Sequence, residues 1–157
     1  MELELAKDLI MQSVAKLVRL AQEARLQAYA PHSKYMVGAA ILTKTGGIYA
    51  GCNVEAADYD GTHAEEAALC VMVMGGERSP IAVVAFGALE GQEPTIVQPC
   101  GKCRQKLFEF ASLSGFDLLI AHHALSDRLF TTRPLSDLLK DAFGPADIGV
   151  DLAKYRR

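Results

Sequence analysis

Nowhere in its 157 residues does the chain string basic side chains together, and its formal net charge is −3. A phosphate backbone is gripped by clustered Lys and Arg, so no nucleic-acid partner is expected. Nor does any apolar run approach the roughly 18 residues that a membrane span requires. The opening residues, Met1-Glu2-Leu3-Glu4-Leu5-Ala6-Lys7-Asp8, are acidic and amphipathic, whereas a secretory signal is basic and then apolar. A cytoplasmic protein with no membrane partner is the expectation. Repeats, low-complexity tracts and dividing linkers are missing too, so residues 1–157 read as one domain, long enough to bury a core without covalent staples. Cysteine is scarce, with four in all, and disulfides are not expected in a reducing compartment. Cys52 and Cys70 stand among apolar neighbours and read as core residues of a strand and a helix. Cys100 and Cys103 form a C-x-x-C, which is either a redox couple or part of a metal site.

Half of the residues are apolar and 22% are charged, the balance of a soluble globular domain. Apolar residues Ile10, Val14, Leu17, Val18, Ala21 and Ala24 recur at helical spacing, which predicts a helix from Glu4 to Tyr29, stopped by Pro31. Met36 to Thr43 reads as a buried strand, and Thr45-Gly46-Gly47 as a turn. Ile48 to Val54 reads as the returning strand. A helix from His63 to Met74, a central strand from Ile81 to Leu89 and a loop from Gly91 to Pro99 follow. Next come a helix from Gly101 to Ser112, a strand from Phe116 to His122, a weak strand near Leu129-Phe130 and a helix from Leu135 to Ala142. This order predicts an α/β fold, with helices on both faces of a mixed sheet of about five strands.

Two short segments carry the chemistry. His63-Ala64-Glu65 and Pro99-Cys100-Gly101-Lys102-Cys103 each fall where a loop becomes a helix, at one end of the sheet. A helix N-terminus offers free N–H groups and a partial positive charge, both of which favour thiolates. A spacing of three residues brings Cys100 and Cys103 from one helical turn onto one ion, with His63 on the neighbouring helix as third ligand. Zinc accepts one imidazole and two thiolates and keeps a fourth tetrahedral position for water, as catalytic zinc sites do. Glu65 stands beside that open position and would move protons. The C-x-x-C by itself is equally open to a redox couple or structural zinc. Of the other histidines, His32, His122 and His123, none is obviously placed to close the site, and His122-His123 reads as surface. The order H-x-E…P-C-x-x-C is the signature of zinc deaminases, in which a hydroxide attacks an amino-heterocycle and ammonia leaves.

Nearly the whole chain resembles the small, homotetrameric type of cytidine deaminase. Ala28-Tyr29-Ala30-Pro31-His32-Ser33-Lys34-Tyr35 with Val37-Gly38-Ala39-Ala40 is similar to the family's A-Y-x-P-Y-S-x-F…V-G-A-A. Gly51-Cys52-Asn53-Val54-Glu55-Ala56-Ala57 is similar to G-x-N-V-E-N-A, His63-Ala64-Glu65 to C-A-E, and Pro99 to Gln105 to P-C-G-x-C-R-Q. More weakly, Leu138 to Pro145 is similar to L-L-P-x-x-F-x-P. The resemblance implies a three-layer α/β/α fold, one zinc ion per chain, cytidine or deoxycytidine as substrate, and a tetramer, with a dimer still open. It gives Asn53 and Glu55 to the sugar hydroxyls, and alternation puts both on one strand face. It gives the Ala64 N–H to the base carbonyl, Tyr35 to packing on the pyrimidine, and Phe143 to a second aromatic contact across a subunit boundary. Arg104 would steady the thiolates or the subunit interface.

Four departures bear on specificity. His63 replaces the family's Cys, and Glu66 stands where an Arg offsets the extra thiolate. The two changes agree, because two thiolates and a neutral imidazole already balance the ion. Ala56 replaces an Asn, while Asp58 and Asp60 enter a shortened loop that borders the base pocket. There they would accept an amino group or repel a phosphate. His32 replaces a Tyr and Lys140 a Pro. A different substrate for the same chemistry therefore stays open: a modified base, an aminated purine or triazine, or a nucleoside antibiotic. So does a non-catalytic zinc module of the same fold.

Overall fold

The computed structural model describes residues 3–126 and 129–156. Helix α1 (Leu3–Arg25) buries Ala6, Ile10, Val14, Leu17, Val18 and Ala21 as a single stripe. It stops short of the expected Tyr29. The chain turns and runs extended there, because Tyr29 pairs with Val54: Tyr29 N donates to Asn53 O at 3.0 Å, and Glu55 N to Tyr29 O at 2.8 Å. Pro31, just ahead, also disfavours helical backbone at the residue before it.

Strands β1 (Tyr35–Thr43) and β2 (Ile48–Cys52) form the expected hairpin. Then come α2 (Ala64–Met74), β3 (Pro80–Leu89), β4 (Thr95–Ile96), α3 (Gly101–Ser114), β5 (Leu119–Ser126), β6 (Leu129–Pro134) and α4 (Leu135–Leu138). Two 3₁₀ turns, Pro145–Ile148 and Leu152–Tyr155, close the described chain. The sheet has six strands in the order β2-β1-β3-β5-β6, with β4 paired to β3. The strand beyond the expected five is β4. It has two residues, pairing Phe86 with Ile96 and Gly87 with Thr95, too few for any alternation to announce it. The pair β3–β5 is parallel and the others are antiparallel, so the sheet is mixed as expected.

Alternation along the strands divides the core in two. Ala40, Leu42, Ala82, Val84, Phe86, Leu119 and Ala121 pack against α1. Ala39, Ile41, Val83, Ala85 and Ile120 face the opposite way, onto Ala68, Leu69 and Met72 of α2 and Leu107 and Ala111 of α3. The result is three layers, with α1 on one face and α2 and α3 on the other. Cys70 corrects the expectation that it is core. It is exposed, because α2 is apolar nearly all round while only one side of it meets the sheet; Cys52, at the end of β2, is half-buried. Met72 is fully buried, yet Met74 two residues on is 89% exposed, for the same reason.

Candidate active site

Strands β2 and β3 both run antiparallel to β1, so they are parallel to each other. Helix α2 follows β2, and α3 follows β3 and β4, so both helices begin beyond the same end of the sheet. Ligand sites of α/β sheets lie at that carboxyl end. His63 is the N-cap of α2 and Cys100 the N-cap of α3. Both have extended backbone (ψ 156° and 170°), and neither spends its side chain on capping. Ring and thiol are left to face each other.

They converge with Cys103. His63 Nδ1 lies 3.3 Å from Cys100 Sγ and 3.4 Å from Cys103 Sγ, and the three donor atoms lie within 4.8 Å of one another. Tetrahedral zinc with ordinary Zn–N and Zn–S lengths separates nitrogen from sulfur by about 3.6 Å, so the set closes on one ion with shifts of a few tenths of an ångström. Two sulfurs about one nitrogen also fit a shared cation better than hydrogen bonding, since a single ring N–H cannot point at both. Burial pushes the Cys103 thiol well above its ordinary range, and the Glu65 carboxylate and the Cys100 sulfur push the same way. The helix N-terminus alone does not prevail there, and a cation is what makes that thiolate favourable. Among the described residues no fourth His, Cys, Asp or Glu joins the group, so a coordination position stays open. The residues present fit zinc.

Glu65, in the first turn of α2, is 5% exposed, and its Oε2 lies 3.5 Å from Cys103 Sγ. The carboxylate therefore borders the donor set from inside the protein. Ala64, the first residue of α2, is buried, and its N–H has no intrahelical acceptor.

Asn53 and Glu55 both turn towards the segment that opens β1. Asn53 accepts from Val37 N at 2.8 Å and donates to Tyr35 O at 2.9 Å. Glu55 accepts from His32 N at 2.8 Å, from Ser33 N at 3.1 Å and from the Ser33 hydroxyl. The Ser33 hydroxyl, with those backbone donors, holds the Glu55 carboxyl below the usual carboxylate range. This bracing by Glu55 is not visible in the sequence, because its partners are mostly backbone atoms more than twenty residues away. Tyr35 opens β1 with its ring over Gly87.

His32 meets Tyr59 at 5.9 Å between ring centroids, and the two line a concavity of about 170 Å³ together with Ser33, Glu55, Ala56 and Gly61. Tyr59 has a left-handed backbone (φ 65°) in the shortened loop. Asp58 accepts from Asp60 N at 3.2 Å, and Asp60 reaches across to Lys102 at 3.3 Å. Phe143 is 61% exposed, and its carbonyl accepts from Gln105 Nε2 at 2.7 Å. Arg104, expected to steady the thiolates or the subunit interface, follows Cys103 in α3. Its guanidinium donates to Pro99 O at 2.8 Å and Leu138 O at 2.9 Å, so it braces the backbone leading into Cys100. Sequence reasoning missed Lys106, which pairs with Glu66 across the two helices.

The profile of the cytidine and deoxycytidylate deaminase zinc-binding region matches residues 11–114. A cytidine deaminase of Sporosarcina psychrophila is 44% identical over 100 residues, which span 63% of this chain and 71% of that protein. One from Mycobacterium tuberculosis is 39% identical over 130 residues, 82% of this chain and 87% of its own. The crystal structure of cytidine deaminase from Mycobacterium tuberculosis superposes with a TM-score of 0.67 at 37% identity, over 82% of this chain and 95% of that one.

Proposed function

The chain belongs to the cytidine and deoxycytidylate deaminase family, and from that membership we propose how its residues divide the work of hydrolysing cytidine or deoxycytidine to the uridine and ammonia. The observation that carries the reading is a buried carboxylate, Glu65, against a three-donor set that leaves one coordination position open. His63, Cys100 and Cys103 hold one zinc per chain. When bound, zinc supplies the Lewis acidity that makes water nucleophilic near neutral pH.

Glu65 moves the protons. It takes one from the attacking water and gives it to N3 of the pyrimidine as the oxygen bonds to C4. It then carries the second proton from that oxygen to the exocyclic nitrogen. The C4–N4 bond breaks, ammonia leaves, and the carbonyl of uracil remains. Water's two protons and its oxygen are all accounted for. Burial of Glu65 supports this role, since a shielded carboxylate exchanges protons with its neighbours ahead of solvent. The Ala64 N–H, with no helical acceptor, meets the base carbonyl.

Asn53 and Glu55 bind the sugar hydroxyls with the valences their protein partners leave: one amide hydrogen of Asn53 and free lone pairs on both side chains. Their bonds to residues 32–37 fix them in place before substrate arrives. Tyr35 packs on the base. His32, Asp58 and Asp60 border the far side and tune which base or sugar is admitted.

The working form is an oligomer, a tetramer or else a dimer. Two features support it: the exposed Phe143, and an apolar groove of about 450 Å³ between α2 and α3, lined by Leu69, Cys70, Val73 and Phe110. A reducing compartment, the cytoplasm, suits a site that needs two free thiols. Residues 1–157 act as one catalytic domain.

Ammonia release from cytidine, deoxycytidine, cytosine, guanine, adenosine and amino-triazines tests the reading, with zinc content measured alongside. Glu65→Gln is expected to keep one zinc per chain and to lose on the order of 10²–10⁴-fold in turnover of cytidine. Unchanged turnover in that variant would remove Glu65 from the mechanism.

A further inference from the structure

His63 sits at the start of one helix and Cys100 and Cys103 at the start of another, so the donor set is only as well formed as the alignment of α2 with α3. Two ion pairs cross that gap. Asp60 and Lys102 join at 3.3 Å, but their side chains are 81% and 47% exposed, and water and salt screen such a pair heavily. Glu66 and Lys106 also join, with side chains only 22% and 37% exposed.

We propose that Glu66 is a positioning residue for the zinc site, holding His63 against the face of α3 that carries Cys103. This rests on the reading of the site as a zinc centre. Glu66 occupies the third position of α2, within the first turn that His63 caps. Lys106 lies three residues beyond Cys103, on the same side of α3. One carboxylate thus ties the first turn of α2, which His63 opens, to the helix that bears the buried thiolate. The Lys106 bond above all, then the charge of Lys102 and the His63 N–H, keep Glu66 ionised despite its partial burial.

A pair that merely stabilised the fold would leave the metal's surroundings alone, and the test separates the two roles. Full-length zinc-loaded protein is mixed with excess chelator, and metal release is followed for wild type, Lys106→Met, Glu66→Gln and the surface control Arg19→Met, which breaks the exposed Arg19–Glu23 pair of α1. Release is expected to quicken about tenfold in Lys106→Met and Glu66→Gln, the low end for residues that orient a metal ligand, and not in Arg19→Met. The cobalt(II)-substituted protein, read at full occupancy and well below its melting temperature, should shift its d–d and sulfur-to-metal bands in the same two variants. Lys106→Gln, neutral but still polar at this half-exposed position, replaces Lys106→Met if the latter fails to fold. Release within twofold of wild type, or an unmoved cobalt spectrum, overturns the proposal. A wild-type chain that takes up no zinc would overturn the zinc reading itself, and with it this one.

Discussion

Substituting Gly51 with alanine drives a methyl group into the underside of α2, close to the site. Gly51 lies in β2, and a Cβ there would stand 2.4 Å from Ala68 N, 2.7 Å from Ala67 Cβ and 2.8 Å from Ala67 C. Ordinary contact begins at 3.4 Å, and the nearest atom is helix backbone, which cannot swing aside as a flexible side-chain end can. The helix must retreat by about 1 Å. It has little slack, because Ala64, Ala68, Leu69 and Met72 are packed into the sheet. The displacement reaches the site directly, since Ala67 N donates to His63 O at 2.9 Å in the first turn. Overpacking of this kind costs about 1–3 kcal/mol of stability. Misplacing catalytic groups by ~1 Å costs on the order of 10²-fold in rate, so the loss of activity should exceed what the stability change explains. Thermal unfolding, zinc content and kcat/KM for cytidine, measured on the same preparation, check it. A folded, zinc-loaded Gly51→Ala variant with kcat/KM within threefold of wild type would refute the close approach as the device that sets His63 and Glu65.

Gly101, between the two cysteines, is the contrasting case, because a Cβ there meets nothing within 4 Å. Gly101→Ala should therefore keep its activity and gain up to about 1 kcal/mol from helix propensity, visible as a rise in Tm of roughly 2–4 °C. A loss of activity would show that another surface fills that space. Zinc affinity should depend on pH with a definite sign. The Cys103 thiol is pushed well up by burial and stays protonated through the neutral range without metal, so binding must expel its proton. That proton alone weakens zinc binding about tenfold for each unit of pH lost, and chelator competition at several pH values near neutrality measures the slope. A flat profile would mean that Cys103 is not a ligand.

The metal centre was legible in the sequence because each of its parts is local. A loop that becomes a helix at His63, and again at Cys100, fixes where those side chains start, and a three-residue spacing fixes Cys103. The layers were legible for a similar reason, since strand alternation sends Ala39 and Ile41 one way and Ala40 and Leu42 the other. What escaped is whatever depends on how two elements lie against each other. Beyond its first turn α2 is apolar all round, which hid which side was inside, so Cys70 read as core. The Glu66–Lys106 pair needs the offset between α2 and α3, which neither helix encodes alone. The bonds of Arg104 to the carbonyls of Pro99 and Leu138 likewise depend on how α3 lies against the segment after it.

The same distinction explains why the departures from the family pattern hang together. With one imidazole and two thiolates, the bound site carries no excess negative charge, so a neighbouring cation is not needed for balance and position 66 is free to be acidic. The acid there pairs with Lys106 of the neighbouring helix. That pair joins the two helices. On the zinc site proposed above, a neutral ligand at His63 leaves room for an acid at Glu66, and Lys106 pairs with that acid.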